Sequence, residues 1–85
     1  ALEAALREAG AIRAEHGTGI VDLFVATGLT KSKSEARRTV NEGGAYLNNA
    51  RVEDVEYVPT DADLIDGTWL VLRRGKRNLA GVEVH

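Results

Sequence analysis

The sequence predicts an α+β fold in which short helices pack on one side of a small antiparallel β-sheet. Three observations predict it. Apolar residues recur at helical spacing in the first half of the chain, strand-forming residues dominate the end, and glycine or asparagine turns separate the segments. With 85 residues, the chain is expected to form one small domain with a thin core.

Two helices are expected in the first third of the chain. Residues 2–13 are rich in helix-forming residues, and their apolar positions follow helical spacing until nearby glycines interrupt the pattern. Residues 20–27 repeat the spacing, and Gly28 is placed to end that helix in a left-handed conformation. We therefore divide the chain into a leading helix and linker, residues 1–19, and a main domain, residues 20–85.

A third helix is expected over residues 33–42. Ser32 and Glu35 have the spacing of a capping box, in which each side chain satisfies a free backbone N–H at the helix start. Gly43-Gly44 then stops the helix. Its apolar positions share one side, and the other side carries polar and basic residues: Lys33, Arg37, Arg38 and Asn41.

The rest of the chain is expected to consist of short strands joined by turns. The strands cover residues 45–48, 51–52, 68–73 and 79–84. Asn48-Asn49 suits a tight turn because asparagine tolerates a positive φ, and residues 74–78 form the turn of a terminal hairpin. Residues 53–67 lie between the strands and are expected to form an acidic loop.

The composition favours a binding module over an enzyme. The chain has no cysteine, and its two histidines, His16 and His85, lie far apart in the sequence. The sequence contains no arrangement for nucleophilic catalysis, no metal-ligand spacing and no phosphate-binding glycine motif, so we expect no catalytic residue, metal site or cofactor. No apolar run approaches the roughly 20 residues that cross a bilayer, so a membrane partner is not expected.

Charge is strongly segregated along the chain, although the formal net charge is only −2. Residues 31–51 carry a net charge of +3, residues 73–77 carry +4, and residues 53–66 carry −6. Because salt screens charges over about 8–10 Å, a polyanion responds to the local field more than to the total. The two basic clusters therefore indicate a phosphate-rich partner. Aromatic residues are few, which favours recognition of the shape and backbone of a folded RNA over reading of single-stranded bases.

Residues 21–52 contain a gapless series of motifs. It begins with Val21-Asp22-Leu23-Phe24, continues with the helix start Ser32-Lys33-Ser34-Glu35-Ala36-Arg37-Arg38, and ends with the Gly-Gly break and the strand and turn after it. In this series the chain resembles the small RNA-binding domain named after ribosomal protein S-four. The strand departs mildly from the family, with Ala45 and Leu47 where valine is usual. The resemblance implies an S-four-like (αL) RNA-binding fold.

Further motifs lie on both sides of this series, Leu6-Arg7-Glu8-Ala9-Gly10 before it and Leu70-Val71-Leu72-Arg73-Arg74-Gly75-Lys76-Arg77-Asn78 after it. With them, nearly the whole chain resembles the C-terminal domains of bacterial tyrosyl-tRNA synthetases. The resemblance implies a domain appended to the catalytic and anticodon-binding parts of a homodimeric, cytoplasmic, ATP-dependent ligase. There it would help to hold tyrosine tRNA, whose long variable arm is the expected contact. Because the first residue is Ala, we expect a processed chain or one cut from a longer protein, monomeric when isolated.

The resemblance and the charges together give the candidate RNA-binding residues. Those in the family motif or at the start of its helix are Lys31, Lys33, Ser34, Arg37, Arg38, Asn41, Asn48 and Arg51. Those in the terminal hairpin are added on charge alone, and they are Arg73, Arg74, Lys76 and Arg77.

Two other functions fit parts of the sequence. The motifs of residues 21–52 are also typical of RNA-modifying enzymes and ribosome-associated factors, so a parent protein of that kind is the first alternative. The second is a protein–protein or dimerisation module that uses the apolar stripe of residues 2–13, although such a stripe more often packs on its own domain.

Overall fold

A computed structural model of the chain describes residues 12–76 and 78–84. Within them the elements follow one another as β1 (Ile12–Ala14), α1 (Ile20–Ala26), α2 (Lys33–Asn41), β2 (Ala45–Leu47), β3 (Ala50–Arg51), a 3-10 turn (Asp61–Asp63), β4 (Trp69–Arg74) and β5 (Asn78–Val84). The expected α+β class is confirmed. The helices over 20–27 and 33–42 and the four predicted strands all form, with ends shifted by a residue or two.

The five strands form one sheet in the order β1-β5-β4-β2-β3. Strands β2 to β5 pair antiparallel, as expected, but β1 pairs parallel with β5, with Ile12 beside Val82. The sheet is therefore mixed, and the prediction of a purely antiparallel sheet is wrong at this edge. The predicted helix over residues 2–13 is wrong at Ile12 and Arg13, which lie in β1, and residues 2–11 lie outside the described residues.

Strand β1 forms where local spacing predicts a helix because the edge of β5 offers backbone N–H and C=O groups that need partners. Ile12 and Ala14 pack against the core, while Arg13 between them points the other way and pairs with Glu83 at 2.8 Å. Long-range pairing thus overrides a weak local propensity. The division of the chain after residue 19 stays a prediction, although β1 shares its sheet with β5.

Helices α1 and α2 pack on one face of the sheet, where the core lies. Its main residues come from both helices and from the strand positions facing them: Ile20, Leu23, Phe24, Ala36, Val40, Ala45, Leu47, Leu70, Leu72 and Val82. Since successive strand residues project to opposite sides, Trp69, Val71 and Arg73 of β4 face away from the helices. We call this side the outer face of the sheet. No helix within the described ranges is both long enough and apolar enough to cross a bilayer.

The predicted turn at Asn48-Asn49 is confirmed. The two residues have φ angles of 50° and 69°, which is the left-handed pair that a two-residue hairpin loop of type I′ requires. The turn joins β2 to β3 and so fixes their register, with Leu47 opposite Ala50.

The acidic segment between β3 and β4 is held by its own hydrogen bonds. The Tyr57 hydroxyl donates to the Asp63 carboxylate, which also accepts from the backbone N–H of Thr60 at 2.9 Å. The Tyr57 carbonyl accepts from the Ile20 N–H at 2.8 Å, which ties the segment to the start of α1. The hydrogen bond to Asp63, then burial and the charge of that carboxylate, raises the pKa of Tyr57 above its ordinary value.

Candidate nucleic-acid interface

The exposed side of α2, which we call the α2 surface, carries the centre of the predicted site. Ala36, Thr39 and Val40 are buried, which turns the other positions of the helix to solvent. The exposed candidates on it are Ser34, Arg37, Arg38 and Asn41. Arg37 and Arg38 form no ion pair with an acidic side chain among residues 12–76 and 78–84, so their guanidinium groups are available to an outside anion.

The start of α2 is held by a capping box shifted by one residue. Ser32 Oγ accepts from the Glu35 N–H at 3.1 Å, as predicted, but Glu35 Oε1 accepts from the N–H of Lys31 at 3.3 Å instead of that of Ser32. Lys31 and Lys33 are exposed beside it, and Lys33 Nζ lies 3.3 Å from Asp22 of α1. Exposed pairs of this kind are weak, so the Lys33 ammonium can exchange its carboxylate partner for a phosphate.

Arg74 connects the end of β4 to the start of α2. Its Nη1 donates to the Leu29 carbonyl and to Glu35 Oε1, both at 2.8 Å. The Glu35 carboxylate therefore joins three segments, because it also accepts from the Lys31 backbone. The Arg74 side chain is 39% exposed. Its first role is this Arg74–Glu35 link, and the RNA contact expected of it stays a prediction.

The turn between β4 and β5 lies beside the end of α2. The Gly75 N–H donates to the Gly44 carbonyl at 2.8 Å. Lys76 is exposed at this turn, and Arg77, the other predicted cation of the turn, lies outside the described residues. Together with the Arg74–Glu35 link, this contact brings the α2 surface and the basic turn to one side of the molecule.

The two arginines of α2 point in different directions. At about 100° per residue, Arg38 lies about 60° around the helix axis from Glu35, on the flank that Arg74 contacts. Arg37 lies about 160° from Glu35, where it lines a shallow cavity together with residues that include Glu56. Arg38 and the β4–β5 turn therefore lie on the same flank of α2.

Arg73 lies on the opposite side of the sheet from Arg74. Arg74 shares the core-facing side of β4 with Leu72, so Arg73 projects from the outer face. There its guanidinium carbon lies 4.2 Å from the ring centroid of Tyr46, which is a cation–π contact. The structure thus separates Arg73 from the α2 surface.

Asn48 and Arg51 are both engaged within the protein. The Asn48 amide donates to the Asp63 carbonyl and accepts from the Val71 N–H at 2.9 Å, so each half of the amide has a partner. The Arg51 side chain packs against Gly43, just beyond the end of α2. Arg51 therefore lies next to the α2 surface, whereas the side chain of Asn48 forms hydrogen bonds that hold the β2–β3 turn against β4 and Asp63.

Sequence reasoning missed two residues that shape this region, Glu35 as a partner of Arg74 and Tyr46 as a partner of Arg73. The period of two along β4 already separates Arg73 from Arg74 and is the signal that could have assigned them to different faces. The Arg74–Glu35 link joins residues 39 positions apart, and no local pattern carries that information.

The α2 surface offers guanidinium, ammonium, hydroxyl and amide donors at fixed spacing on one rigid element. Such donors suit a row of phosphates, which guanidinium groups can bind through two parallel hydrogen bonds. Among the described residues, no group of three or more His, Cys, Asp or Glu side chains could hold a metal ion. The geometry therefore supports recognition of a polyanion.

Comparisons with known proteins agree with the resemblance that the sequence motifs indicate. A family model described as the tyrosine–tRNA ligase SYY-like C-terminal domain matches residues 2–82. The tyrosine–tRNA ligase of Streptomyces coelicolor is 57% identical over 83 residues, 98% of this chain, and that of Mycobacterium bovis is 56% identical over 84 residues, 96% of this chain. The chain spans 20% of the length of each of these relatives.

A solved structure matches the fold as well. It is described as the solution structure of a tyrosyl-tRNA synthetase C-terminal domain, and it superposes with a TM-score of 0.68 at 26% identity. The match covers 99% of this chain and 86% of the other. These findings confirm the resemblance seen in the sequence motifs, and the chain belongs to the family of tyrosine–tRNA ligase C-terminal domains.

Proposed function

We propose that this chain is the tRNA-binding C-terminal module of a tyrosine–tRNA ligase and that its α2 surface contacts tyrosine tRNA. The observation that carries the proposal is the exposure of Arg37 and Arg38 on a helix that the basic β4–β5 turn adjoins. Family membership supports a tRNA as the polyanion. The relatives are ligases, so an RNA-modifying enzyme or a ribosome-associated factor is not favoured as the parent.

The module contributes affinity and orientation, and it carries out no chemistry. Each phosphate that a Lys or Arg neutralises releases counterions, so binding weakens as salt is added. With roughly four to six such contacts, the association constant falls with salt on a log–log slope of about −3 to −5. The long variable arm of the tRNA is the proposed contact, because a folded arm presents phosphates at the regular spacing that one rigid helix can meet.

In this proposal the parent protein, outside this chain, carries out the ligase reaction. ATP and tyrosine bind in a catalytic domain outside this chain, the parent is a cytoplasmic homodimer, and the isolated chain is a monomer. The length comparison supports such a division, since the chain spans about a fifth of its ligase relatives.

Filter binding of the 85-residue chain to tyrosine tRNA, with and without the variable arm, tests the proposal. We expect the intact tRNA to bind more tightly and with the steeper salt dependence. Replacing Arg37→Glu and Arg38→Glu together should weaken binding and reduce the salt slope by about two, since each lost phosphate contact removes about one. Both residues are exposed, so the fold should survive.

A matched pair of single variants separates the α2 surface from general charge. Arg38→Gln and Arg13→Gln change the net charge equally, and Arg13 is 71% exposed on β1. We expect only Arg38→Gln to weaken binding. Equal effects of the two variants, or equal and salt-insensitive binding of the two RNAs, would contradict the proposal.

A further inference from the structure

A row of three side chains crosses the outer face of the sheet. The strand register places Tyr46 opposite Arg73 and Arg73 opposite Leu79. Directly opposed residues of antiparallel strands project to the same face. The set Tyr46, Arg73 and Leu79, which we call the outer-face row, therefore runs from β2 to β5 on the side that α1 and α2 do not cover.

Arg73 is held in the middle of this row. Its guanidinium lies over the Tyr46 ring at 4.2 Å, and its Nε is buried without a hydrogen-bond partner among the described residues. Burying a polar atom without a hydrogen-bond partner costs free energy. The position of the Arg73 side chain is therefore not explained by hydrogen bonds of its Nε to the described residues. Stacking on Tyr46 instead holds the guanidinium as a flat cation with one face against the ring.

Leu79 adds an apolar surface beside that cation. It is 52% exposed, and the other exposed large apolar side chain among the described residues is Val58. A single exposed leucine needs no explanation by itself, but this one lies directly across the strand pair from Arg73. The row thus combines a stacked cation, an aromatic ring and an apolar surface.

We propose that the outer-face row is a stacking site for one unpaired base of the bound RNA. This inference rests on the proposed function and names the nucleotide class that the module prefers. The base stacks on the Arg73 guanidinium and contacts Leu79, because nucleobases stack well on guanidinium planes and aromatic rings. Lys76, which is exposed in the β4–β5 turn, meets a phosphate beside it.

One RNA can reach both the α2 surface and the outer-face row. Arg73 and Arg74 are successive residues, about 3.3 Å apart along the strand, and Arg74 contacts the start of α2. A paired stem that lies on the α2 surface therefore passes the end of β4, where a nucleotide that leaves the stem can cross to the outer face.

A set of RNA hairpins with the same stem tests this inference. One hairpin is fully paired, and each of the others carries a single unpaired nucleotide at a different position of the stem. We expect the wild-type chain to bind the best bulged hairpin at least about fivefold more tightly than the paired one, the lower end of what one stacked base supplies. Tyr46→Leu should abolish this preference and Tyr46→Phe should keep it, because phenylalanine retains the ring. Arg38→Gln should weaken both hairpins by the same factor.

The fluorescence of Trp69 reports whether each variant is folded. Trp69 is the only tryptophan in the chain and is 5% exposed on the same face of the sheet. If the wild type binds all hairpins equally, or if folded Tyr46→Leu keeps the preference, the row is not a base site, while RNA binding by the α2 surface stands. If no hairpin or tRNA is bound at all, the proposed function itself fails, and this inference fails with it.

Discussion

Asn48 combines a strained backbone position with two side-chain hydrogen bonds. Its φ of 50° lies in the left-handed region, and its amide joins the Asp63 carbonyl to the Val71 N–H of β4. Asn49 has a similar φ of 69° but is exposed and forms no side-chain hydrogen bond with the described residues. Comparing the two asparagines therefore separates the free-energy cost of the left-handed backbone from the free energy that the side-chain hydrogen bonds of Asn48 contribute.

Asn48→Ala is expected to lower the free energy of unfolding by about 3 kcal/mol. Roughly 1 kcal/mol comes from the left-handed backbone and about 1 kcal/mol from each lost hydrogen bond. Asn49→Ala should lose only the backbone part, about 1 kcal/mol. Urea unfolding followed by circular dichroism measures both. Equal losses in the two variants would show that the Asn48 amide contributes nothing.

Tyr57 makes the stability of the protein depend on alkaline pH. Its pKa is raised in the folded state, so the folded protein holds the hydroxyl proton more tightly than the unfolded chain does. This stabilisation is complete below the unfolded pKa of about 10 and is lost as pH rises through the folded pKa. Tyr57→Phe has no proton to lose, so its free energy of unfolding should fall less steeply above about pH 10.

Urea unfolding of the wild type and Tyr57→Phe between about pH 8 and pH 11 measures this difference. A Tyr57→Phe variant whose stability falls as steeply as that of the wild type would refute the assignment.

At the scale of elements, α2 depends on the cap at its start. Ser32 accepts the Glu35 N–H, and losing such a cap costs about 1 kcal/mol. Ser32→Ala should therefore lower the free energy of unfolding by about that amount. Ser34→Ala, two residues later on the exposed side, should leave it unchanged or raise it slightly, because alanine is the better helix former. Thermal unfolding compares the two, and equal shifts would mean that the cap is unimportant.

The elements that the sequence predicts correctly are those with a local signal. Helix α2 has a cap, an apolar stripe and a glycine stop within a dozen residues, and the β2–β3 turn has two asparagines. Strand β1 has no such signal, because Ile12 fits the apolar spacing of a helix as well as the alternation of a strand. Its partner, β5, lies at the other end of the chain, and local patterns do not show which distant edge needs a partner.

For the whole molecule, the acidic side chains restrain part of the basic surface. Lys33 lies 3.3 Å from Asp22, and Arg51 lies 3.1 Å from Glu53. Charge segregation along the sequence predicts a basic surface, but it does not show which cations are already paired. The sequence therefore predicts the α2 surface. It does not predict that Arg38 forms no ion pair within the described part of the chain, that Arg73 contacts Tyr46 or that Arg74 binds Glu35, because those facts depend on neighbours in space.

Asp22→Asn is expected to strengthen tRNA binding by up to about fivefold at low salt, because it frees Lys33 from an exposed pair worth up to about 1 kcal/mol. Asp66→Asn changes the net charge equally but removes no ion pair of the described residues. It should therefore have the smaller effect. Filter binding at several salt concentrations compares them, and identical affinities would show that Asp22 does not restrain Lys33.

Strand β1 spans Ile12–Ala14 and, within the described part of the chain, pairs with β5 alone at the edge of the sheet. Closing that pair brings together positions about 70 residues apart, whereas the β4–β5 hairpin closes over a short turn. Loop closure of that length costs entropy, so β1 should join late in folding and detach first. Its amides should exchange with deuterium while those of β4 remain protected. We therefore expect the edge strand to open and close as a small unit while the helix that carries Arg38 stays folded.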